Sequence, residues 1–415
     1  MKKVSAFVAL LATWNLGPAQ DLVITNARII VGTGATINQG SVIVVDGRIT
    51  SVVEGTVDAR GTEINAEGMT VMPGFIDTHR HFLGGSRVTT EAEMRQWIEE
   101  ELPGSLEKLL GAGVTTTLSA SDAYPHILRA RQLVESGEIR GPRILSSGYL
   151  FAAPGERRRC GSDWCQRHRE LFEVEEPEIA RARIRGLAEA GVDAIKVFFN
   201  PEGPLPVLSD PVLAAISEEA ERHGVPVTVH AFSVDKMLRA VELGADRFVH
   251  VPTLNTMNGR EARIVRDAAI PVSTTVGAHT PFFDEAGVAR AFGGTREYPT
   301  DFAEQLRRSL MNVRTLWDEG VTVAFGTDSP PMLPVDETIQ HEADTLSEVL
   351  TNEEIITALT VNAASYLELG DEIGTLEVGK LADIVIIDGD PLADISHLAN
   401  VKVVIQGGRI VVDKR

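Results

Sequence analysis

The sequence of 415 residues has very few cysteines. Only two occur, Cys160 and Cys165 in CGSDWC. Two thiolates are too few for a four-cysteine zinc cage, so a structural zinc site of that kind is excluded. In an oxidising compartment the pair favours a local disulfide. Two free thiols, or half of a soft-metal site, are the alternatives.

Basic charge is also scarce. The chain has 39 Lys and Arg residues against 59 Asp and Glu residues, for a net charge of −20. This balance argues against nucleic-acid partners and anionic membrane surfaces, because binding to phosphate groups needs clustered basic side chains. An acidic enzyme that acts on small or cationic substrates is compatible with the composition, and so is plain solubility.

The apolar run near the N-terminus is too short to span a bilayer, which needs about 20 residues. Two lysines follow Met1, an apolar stretch covers Val4–Leu11, and small residues lie around Gly17. This order is typical of a secretory signal peptide. A buried N-terminal strand or helix is the alternative. We predict a signal over residues 1–19, a mature chain that starts near Gln20, and a periplasmic or secreted location.

Both ends of the remaining chain have a β pattern. Apolar residues alternate with polar ones in segments such as LVITNARIIV and VKVVIQGGRIVV, and Gly, Asn and Asp mark the turns. Chain termini often lie close together in a domain. We therefore predict a composite β-sandwich built from residues 20–69 and 371–415.

The middle of the chain, residues 70–370, alternates short apolar runs with helical patterns. No phosphate-binding glycine loop follows the first strand, which argues against an open doubly wound sheet. Eight strands with intervening helices are what a (β/α)₈ barrel, an α/β fold, requires. The predicted strands are Thr70–Asp77, Thr115–Ser119, Arg143–Ser147, Ala194–Phe199, Pro226–Ala231, Arg247–Val251, Pro271–Thr275 and Thr322–Thr327.

Several of these strands carry a possible metal ligand toward the same end. Taken singly, a histidine at a strand end is more often a hydrogen-bonded structural residue, and an aspartate there can cap a helix. The set is more specific than its members, because barrel enzymes place their chemistry at the carboxyl ends of the strands. The candidates are His79, His81, Lys196, His230, His250 and Asp328.

Alternation along a strand indicates how these residues divide. His79 and His81 point to the same face, into the barrel mouth, and Arg80 turns the other way. The two imidazoles and the Asp328 carboxylate form a set for one divalent ion. The histidines of the fifth and sixth strands, at positions 230 and 250, supply a second ion.

Lys196 lies in the apolar run AIKVFFN, with no acidic residue beside it in sequence. A buried ammonium group costs several kcal/mol unless it is neutralised or paired, and burial favours the neutral amine. A neutral amine can react with CO₂ to give a carbamate, which would bridge two ions. With a hydroxide as the other bridge, the two ions, both bridges and Asp328 leave a net charge of about +1.

This arrangement resembles the binuclear amidohydrolase superfamily, and within it the imidazolonepropionase-like subgroup of metal-dependent hydrolases that includes Xaa-Pro dipeptidases. The resemblance covers nearly the whole mature chain. The motifs that carry it are TVMPGFIDTHRHF, GVTTTLSA, GVDAIKVFF, VTVHAFSVDKMLRAVELGADRFVHVP, VTVAFGTDSP and LTVNAASYLELGDEIGTLEVGKLADIVIIDGDPL.

The resemblance implies a role for each of the six residues. Lys196 would be the carboxylated bridge, and Asp328 would also take the proton of the attacking hydroxide. Zinc is the expected metal, and Mn²⁺, Fe²⁺ or Co²⁺ would also suit these ligands. His79, His81 and Asp328 would hold the more buried ion, and His230 and His250 the more exposed one.

The sequence departs from the subgroup after the third strand. Many members have a GGHG-like stretch there, whose histidine polarises the substrate, but this chain reads SSGYLFAAPGERRRCGSDWC. His168 would be a substitute, or a solvent-facing residue. His279, at the end of the seventh strand, is a candidate catalytic residue, with a plain loop position as the alternative. Arg157–Arg159 would meet a substrate carboxylate or form a solvated loop.

Other residues are assigned no chemistry. His341 and Glu342 are expected to support the structure, and no function is assigned to His126, His223 and His397. The predicted protein is an exported binuclear amidohydrolase that cleaves an amide or peptide-like C–N bond in a small molecule. The same site acting on a lactone, carbamate or phosphotriester is the alternative, and a non-catalytic barrel is the third. Assembly with identical chains stays open.

Overall fold

The computed structural model describes residues 21–58, 61–83, 88, 90–155, 171–200, 206–279, 302–329 and 335–415, except for the side chains of residues 279 and 302. Several predictions lie outside these ranges. They are the signal peptide over residues 1–19, the Cys160–Cys165 disulfide, the basic run Arg157–Arg159 and the substitute histidine His168.

Strands from both ends of the chain form one sheet. Its hydrogen-bonded order is β18-β17-β16-β5-β1-β2-β3, with β4 paired to β1. The strands are β1 (Leu22–Ile30), β2 (Thr36–Val45), β3 (Arg48–Glu54), β4 (Thr62–Asn65), β5 (Thr70–Pro73), β16 (Ile384–Ile387), β17 (Val401–Gln406) and β18 (Arg409–Asp413).

Strand β1 pairs with two different strands along one of its edges. It pairs with β4 through residues 22–25 and with β5 through Arg28 and Ile29. Between these two stretches Asn26 has a φ of 54°, a conformation that asparagine tolerates better than most residues. The register with β2 shifts at the same place. The bend therefore lets one strand extend across the whole β-domain.

The middle of the chain forms the barrel. Among the described residues eight parallel strands make its wall: β6 (Phe75–Arg80), β7 (Val114–Ser119), β8 (Arg143–Ser146), β11 (Ile195–Phe198), β12 (Val227–His230), β13 (Arg247–Val249), β14 (Val272–Ser273) and β15 (Val323–Ala324). Two short strands, β9 (Leu150–Ala152) and β10 (Leu171–Glu173), extend the wall beside β11.

Two backbone hydrogen bonds mark where the barrel closes. Thr78 N–H donates to the Phe325 carbonyl over 3.0 Å, which joins β6 to the residues after β15. Asp193 N–H donates to the Ser146 carbonyl over 2.7 Å, which joins β8 to the residues before β11. The predicted (β/α)₈ barrel with a β-domain from both termini is thus confirmed.

The first predicted strand, Thr70–Asp77, is two strands. β5 belongs to the terminal sheet, and β6 to the barrel. Gly74 separates them, and a Cβ added there would lie 2.3 Å from the Thr115 hydroxyl oxygen. Both segments are buried, and the residues on either side of Gly74 are apolar, so hydrophobicity alone indicates a single strand. The close approach at Gly74 is what turns the chain from one sheet into the other.

Helices cover the outside of the barrel. They are α1 (Glu91–Gln96), α2 (Leu102–Gly111), α3 (His126–Glu135), α4 (Pro177–Glu189), α5 (Asp210–His223), α6 (Val234–Glu242), α7 (Gly259–Asp267), α8 (Phe302–Asp318), α9 (Thr338–Leu346), α10 (Asn352–Thr357) and α11 (Ala363–Tyr366). π-helical turns at Trp97–Glu101 and Ala358–Asn362 join α1 to α2 and α10 to α11. 3₁₀ turns cover Val276–His279 and Ile395–Ala399.

Local sequence explains several helix starts. Thr90, Asn258 and Thr351 each accept a hydrogen bond from a backbone N–H of the first turn through the side chain. The carboxylate of a glutamate three residues later accepts one from the backbone N–H of the cap residue. Such reciprocal bonds satisfy the free N–H groups of a helix start. Within the part of the chain that the structure describes, none of these helices combines the length and apolar character that a membrane crossing requires.

Candidate metal centre

Three ligand side chains meet where β6 and β15 lie side by side at the barrel mouth. His79 Nε2 lies 3.0 Å from Asp328 Oδ1, and His81 Nε2 lies 3.2 Å from the same oxygen. The ligand atoms of the three residues all fall within 4.8 Å of one another. Two imidazoles and a carboxylate at this separation fit a divalent ion such as zinc.

The backbone fixes this group. Asp328 N–H donates to the His79 carbonyl over 2.8 Å, so the two strands hold both residues at one level. Asp328 has a φ of 50°, a left-handed conformation that Asp and Asn adopt more readily than other residues. That turn presents the carboxylate to both histidines.

A second pair of histidines follows the next part of the wall. His230 ends β12 and His250 follows β13, and their ring centroids are 4.2 Å apart. The His79 and His250 rings are 5.0 Å apart, which links the pair to the first group. Phe198 and Phe232 lie on either side of His230, with centroids 4.4 and 4.3 Å away. The four histidines and Asp328 therefore form one continuous cluster.

Lys196 lies on β11, next to the strand that carries His230. Its side chain is 3% exposed. Burial lowers the pKa of Lys196 to about 7, against a smaller opposing effect from the Asp328 carboxylate. A large share of the amine is thus neutral near pH 7, which is the form that reacts with CO₂.

Burial and neighbouring charges set the protonation of the other ligands. Burial, with the charge of Lys196, lowers the pKa of His79 to about 3. Burial and the neighbouring His230 hold the pKa of His250 well below its usual range. Burial alone would raise the pKa of Asp328, but the electrostatic interactions with His79 and His250 and the hydrogen bonds from His79 and His81 outweigh it and hold that pKa well below the ordinary value. His79 and His250 are thus neutral imidazoles beside an ionised Asp328 carboxylate, the protonation state in which these groups bind metals.

His81 behaves differently. Burial would lower the pKa of His81, but its hydrogen bond to Asp328 and the charge of that carboxylate raise it to about 9. The proton on His81 Nε2 is shared with the Asp328 carboxylate, and a metal ion would bind between the same two groups. Metal binding at this group therefore releases a proton.

The sequence model of the amidohydrolase family matches residues 70–411. The chain belongs to the amidohydrolase family. It is a hydrolase of C–N bonds, as predicted, and the family generally uses divalent metal ions.

Three relatives show how far the similarity extends. The chain is 24% identical over 440 residues to a 5'-deoxyadenosine deaminase of Methanosarcina acetivorans, covering 95% of this chain and 93% of that protein. It is 27% identical over 402 residues to an imidazolonepropionase of Alkaliphilus oremlandii, covering 91% of each. The crystal structure of a Xaa-Pro dipeptidase with bound methionine shares the fold, with a TM-score of 0.81 at 23% identity, and covers 94% of this chain and 100% of that one.

In this amidohydrolase Arg80 does not turn toward solvent. It points away from the mouth, as alternation predicts, but its side chain is fully buried. Its Nη1 lies 3.3 Å from Asp77 Oδ2 and donates to the Thr338 hydroxyl of α9 over 2.9 Å. Arg80 is buried although it faces outward from the barrel, because both faces of a barrel strand are covered, one by the interior and one by helices.

Asp77 is a supporting residue that the sequence did not reveal. Its carboxylate accepts hydrogen bonds from the His79 N–H, the Thr327 N–H and the Thr327 hydroxyl, over 3.2, 3.0 and 2.7 Å. It therefore holds the backbone beside two candidate ligands. The signal was its position two residues before His79, on the same strand.

A second support lies after β7. His81 Nδ1 is 2.8 Å from the Ser121 carbonyl, an arrangement that directs Nε2 toward Asp328. The buried Asp122 carboxylate accepts from the Phe82 and Leu83 N–H groups and from the Ser119 hydroxyl. These contacts anchor the backbone on which His81 lies, and only the folded barrel brings them together.

His279 ends the 3₁₀ turn after β14, and its side chain lies outside the described residues. The preceding part of that turn is held by α9. The Glu342 carboxylate accepts from the Thr274 hydroxyl over 2.5 Å and from the Val276 N–H over 3.0 Å, and burial raises its pKa to about 7. Glu342 thus supports the structure, as expected.

The remaining histidines contact groups other than the candidate ligands. His126 lies 3.3 Å from Glu91, His223 lies 3.5 Å from Glu219, and His397 Nδ1 lies 3.1 Å from the Asp390 carbonyl. These contacts agree with assigning them no chemistry.

Proposed function

We propose that the protein is an exported binuclear metal-dependent amidohydrolase that cleaves an amide or peptide-like C–N bond. The observation that carries this proposal is the convergence at the barrel mouth of two ligand groups with a buried lysine on a neighbouring strand. One group is His79, His81 and Asp328, and the other is His230 and His250. The short separation of the His79 and His250 rings, 5.0 Å, supports shared bridging ligands between the two groups.

Two divalent ions bound to these groups would lower the pKa of a shared water molecule and polarise the carbonyl group of the substrate. The chain supplies the coordinating atoms and keeps them in place. Neutral imidazoles at His79 and His250 and the anionic Asp328 are donors that need not first lose a proton, whereas His81 would release one. The contacts of Asp77 and Ser121 orient the first group.

Lys196 would provide the second bridging group as a carbamate. Its neutral amine forms an Nζ–C bond with CO₂, and one proton leaves the nitrogen. The product carries a negative charge on two oxygens and so replaces a buried neutral amine by a buried anion. That change is favourable only beside cations, so carbamate formation and metal binding should support each other.

Asp328 would move the proton. Its carboxylate stays ionised in the folded protein, and Oδ1 already accepts hydrogen bonds from both histidines of the first group. A carboxylate at the centre of the site can accept a proton from the nucleophile and pass it to the departing nitrogen.

The relatives suggest where to search for the substrate. Their names include 5'-deoxyadenosine deaminase, imidazolonepropionase and Xaa-Pro dipeptidase, so the substrates to test first have a C–N bond at a carbonyl or ring carbon. Export is supported by the N-terminal pattern of two lysines, an apolar stretch and small residues. N-terminal sequencing of the protein from its native host should find a start near Gln20, and an intact Met1 would contradict export.

Metal analysis tests the two-ion site. Purified, metal-replete protein should hold about two ions per chain, and Lys196→Ala should lose one ion and most activity. Lys402→Ala, on the terminal sheet, is the matched control and should behave as the wild type. One equivalent or less in the active wild type would overturn the binuclear proposal.

The carbamate is tested separately. Protein reconstituted with zinc and ¹³C-bicarbonate should show a carbamate carbon resonance that Lys196→Ala lacks. Reconstitution in CO₂-free buffer should give lower activity that bicarbonate restores. Full turnover of Lys196→Ala would refute the bridge.

A substrate panel tests the bond. It contains Xaa-Pro dipeptides, N-acyl amino acids, 5'-deoxyadenosine, imidazolonepropionate, a lactone, a carbamate and a phosphotriester. We expect the highest kcat/KM on a dipeptide or N-acyl amino acid. A clear preference for the lactone or phosphotriester would keep the site but reject the C–N assignment for its best substrate.

A further inference from the structure

His250, in the second histidine group, has one close contact with a residue that is not a candidate ligand. The Thr275 hydroxyl oxygen lies 2.5 Å from His250 Nδ1, and both residues are buried. Thr275 follows β14, so this contact crosses from one barrel strand to the next. A short, buried contact to the ring nitrogen of a candidate ligand is the usual way in which a protein orients a metal-binding imidazole.

Thr275 is held in an unusual conformation. Its φ is 58° and that of His250 is 55°. A left-handed backbone is a genuine outlier for a β-branched residue such as threonine. Strain of this kind persists only where the surroundings impose it, and it concentrates at functional sites.

The surroundings that impose it are visible. Thr275 N–H donates to the Gly326 carbonyl over 3.0 Å. On either side, the Glu342 carboxylate accepts from the Thr274 hydroxyl, the Val276 N–H and the Gly277 N–H. One buried side chain of α9 therefore holds the backbone before and after Thr275.

We infer that Thr275, held in its left-handed conformation by Glu342, is a positioning residue that orients His250 for the second metal ion. The inference rests on the proposed two-ion function. When the hydroxyl oxygen accepts from Nδ1–H, the proton of the neutral imidazole is placed on Nδ1. The lone pair of Nε2 is then the one free to bind a cation. The contact thus fixes the ring angle and is compatible with the tautomer that metal binding at Nε2 requires.

A pair of variants that differ by one oxygen atom tests this. Thr275→Ser keeps the hydroxyl, and Thr275→Ala removes it, while both lose the β-branched methyl group. Each protein is stripped with a chelator and titrated with Co²⁺, and the bound ions are counted by elemental analysis and followed by the visible absorption of Co²⁺. Thr275→Ala should bind its second ion about 10–100-fold more weakly than Thr275→Ser, with the first ion unchanged.

Thr117→Val is the matched control. Thr117 is fully buried on β7, and its hydroxyl has no hydrogen-bond partner in the described part of the chain. This variant removes a buried hydroxyl from the barrel and should bind both ions as the wild type does. Thermal unfolding of the metal-free proteins accompanies the titrations, so that a weaker second ion in a fully folded variant is separated from a loss of structure.

The outcomes separate this inference from the proposed function. Equal affinities of Thr275→Ala and Thr275→Ser for the second ion, in a protein whose wild type holds two, would overturn the role of Thr275 alone. A wild type that holds only one ion would overturn the binuclear proposal together with this role.

Glu342→Gln provides a second route to the same conclusion. The amide cannot accept a hydrogen bond from the Gly277 N–H at its nitrogen, so the turn around Thr275 should loosen. We expect a weaker second ion and an altered Co²⁺ absorption, with the first ion retained. An unchanged second ion in a folded Glu342→Gln protein would show that Glu342 does not act through Thr275.

Discussion

The terminal β-domain and the barrel mouth are both buried sheet structure, but their interiors differ in kind. The β-domain core is aliphatic, with Ile384, Ile386, Val403 and Ile405 all completely buried. The barrel strands bury ionisable groups at the mouth and directly behind it instead, namely Asp77, His79, Arg80, Lys196 and His250, each at most 3% exposed.

The difference separates stability from chemistry. Burial of apolar side chains stabilises the fold and requires close packing but no specific polar partner. Buried ionisable groups destabilise it unless each one is paired or neutral, so they persist where a ligand or a reaction uses them. Substitutions in the β-domain should therefore change stability without changing kinetics. Substitutions at the mouth should change the kinetics, with or without a change in stability.

The largest expected effect is on catalysis. Asp328→Asn keeps the left-handed backbone accessible, because asparagine adopts it readily, but removes the base and the anionic ligand. We expect kcat on the best substrate of the panel to fall by about 10²–10⁴-fold. Asp388→Asn, at an exposed position between β16 and β17, is the control. Wild-type turnover by Asp328→Asn would remove that residue from the mechanism.

The next effect is on the buried ion pair behind the mouth. Asp77→Asn leaves Arg80 buried without its carboxylate, and we expect the free energy of unfolding to fall by about 3–5 kcal/mol. Urea unfolding measures this. The exposed pair of Arg263 and Glu319 is the comparison, and Glu319→Gln should change little. An equally small loss of unfolding free energy in both variants would show that the buried Asp77–Arg80 pair contributes no more to stability than the exposed pair.

The β-domain should respond in the opposite way. Ile405→Ala removes a completely buried side chain and should lower the free energy of unfolding by about 2–5 kcal/mol. The kcat/KM of the folded protein should match the wild type. Val378→Ala, at a side chain that is 68% exposed, should change neither quantity. A large kinetic defect in folded Ile405→Ala would show that the two regions are coupled.

The smallest effect is a pH dependence of the metal-free protein. Lys196 has a pKa of about 7 when folded and an ordinary value of 10.5. Between these values the unfolded chain binds more protons, so Lys196 makes stability rise with pH from about 7 upward, by at most about 1.4 kcal/mol per pH unit. Urea midpoints at pH 7, 8 and 9, in CO₂-free buffer, should rise more steeply for the wild type than for Lys196→Met. Parallel curves would mean that Lys196 is charged or exposed without metal.

Local sequence was sufficient for much of the fold. Period-two alternation and the turn residues identified the β-rich ends, and apolar runs separated by helical patterns identified the barrel strands. The order of His79, His81, Lys196, His230 and Asp328 along those runs predicted a cluster at one end of the barrel, since parallel strands end on one face.

Other features depend on residues far apart in sequence. Arg80 is buried because Thr338, 258 residues later, lies against it. The strand Thr70–Asp77 divides because Thr115 approaches Gly74. Neither contact leaves a periodic signal in the sequence. Such contacts cannot be predicted from periodicity, because hydrophobic periodicity indicates burial but not which element provides it.

The sequence by itself determined which side chains line the barrel mouth, because strand alternation and the common direction of parallel strands are local rules. Only the tertiary structure decided their state. The pKa values of His79, Lys196 and Asp328 depend on burial and on charges that arrive from other strands. The orientation of His250 likewise depends on Thr275, which a helix residue 67 positions further along the chain, Glu342, holds in place. Desolvation and hydrogen bonding act through space, so the chemistry of these ligands is set by the folded barrel.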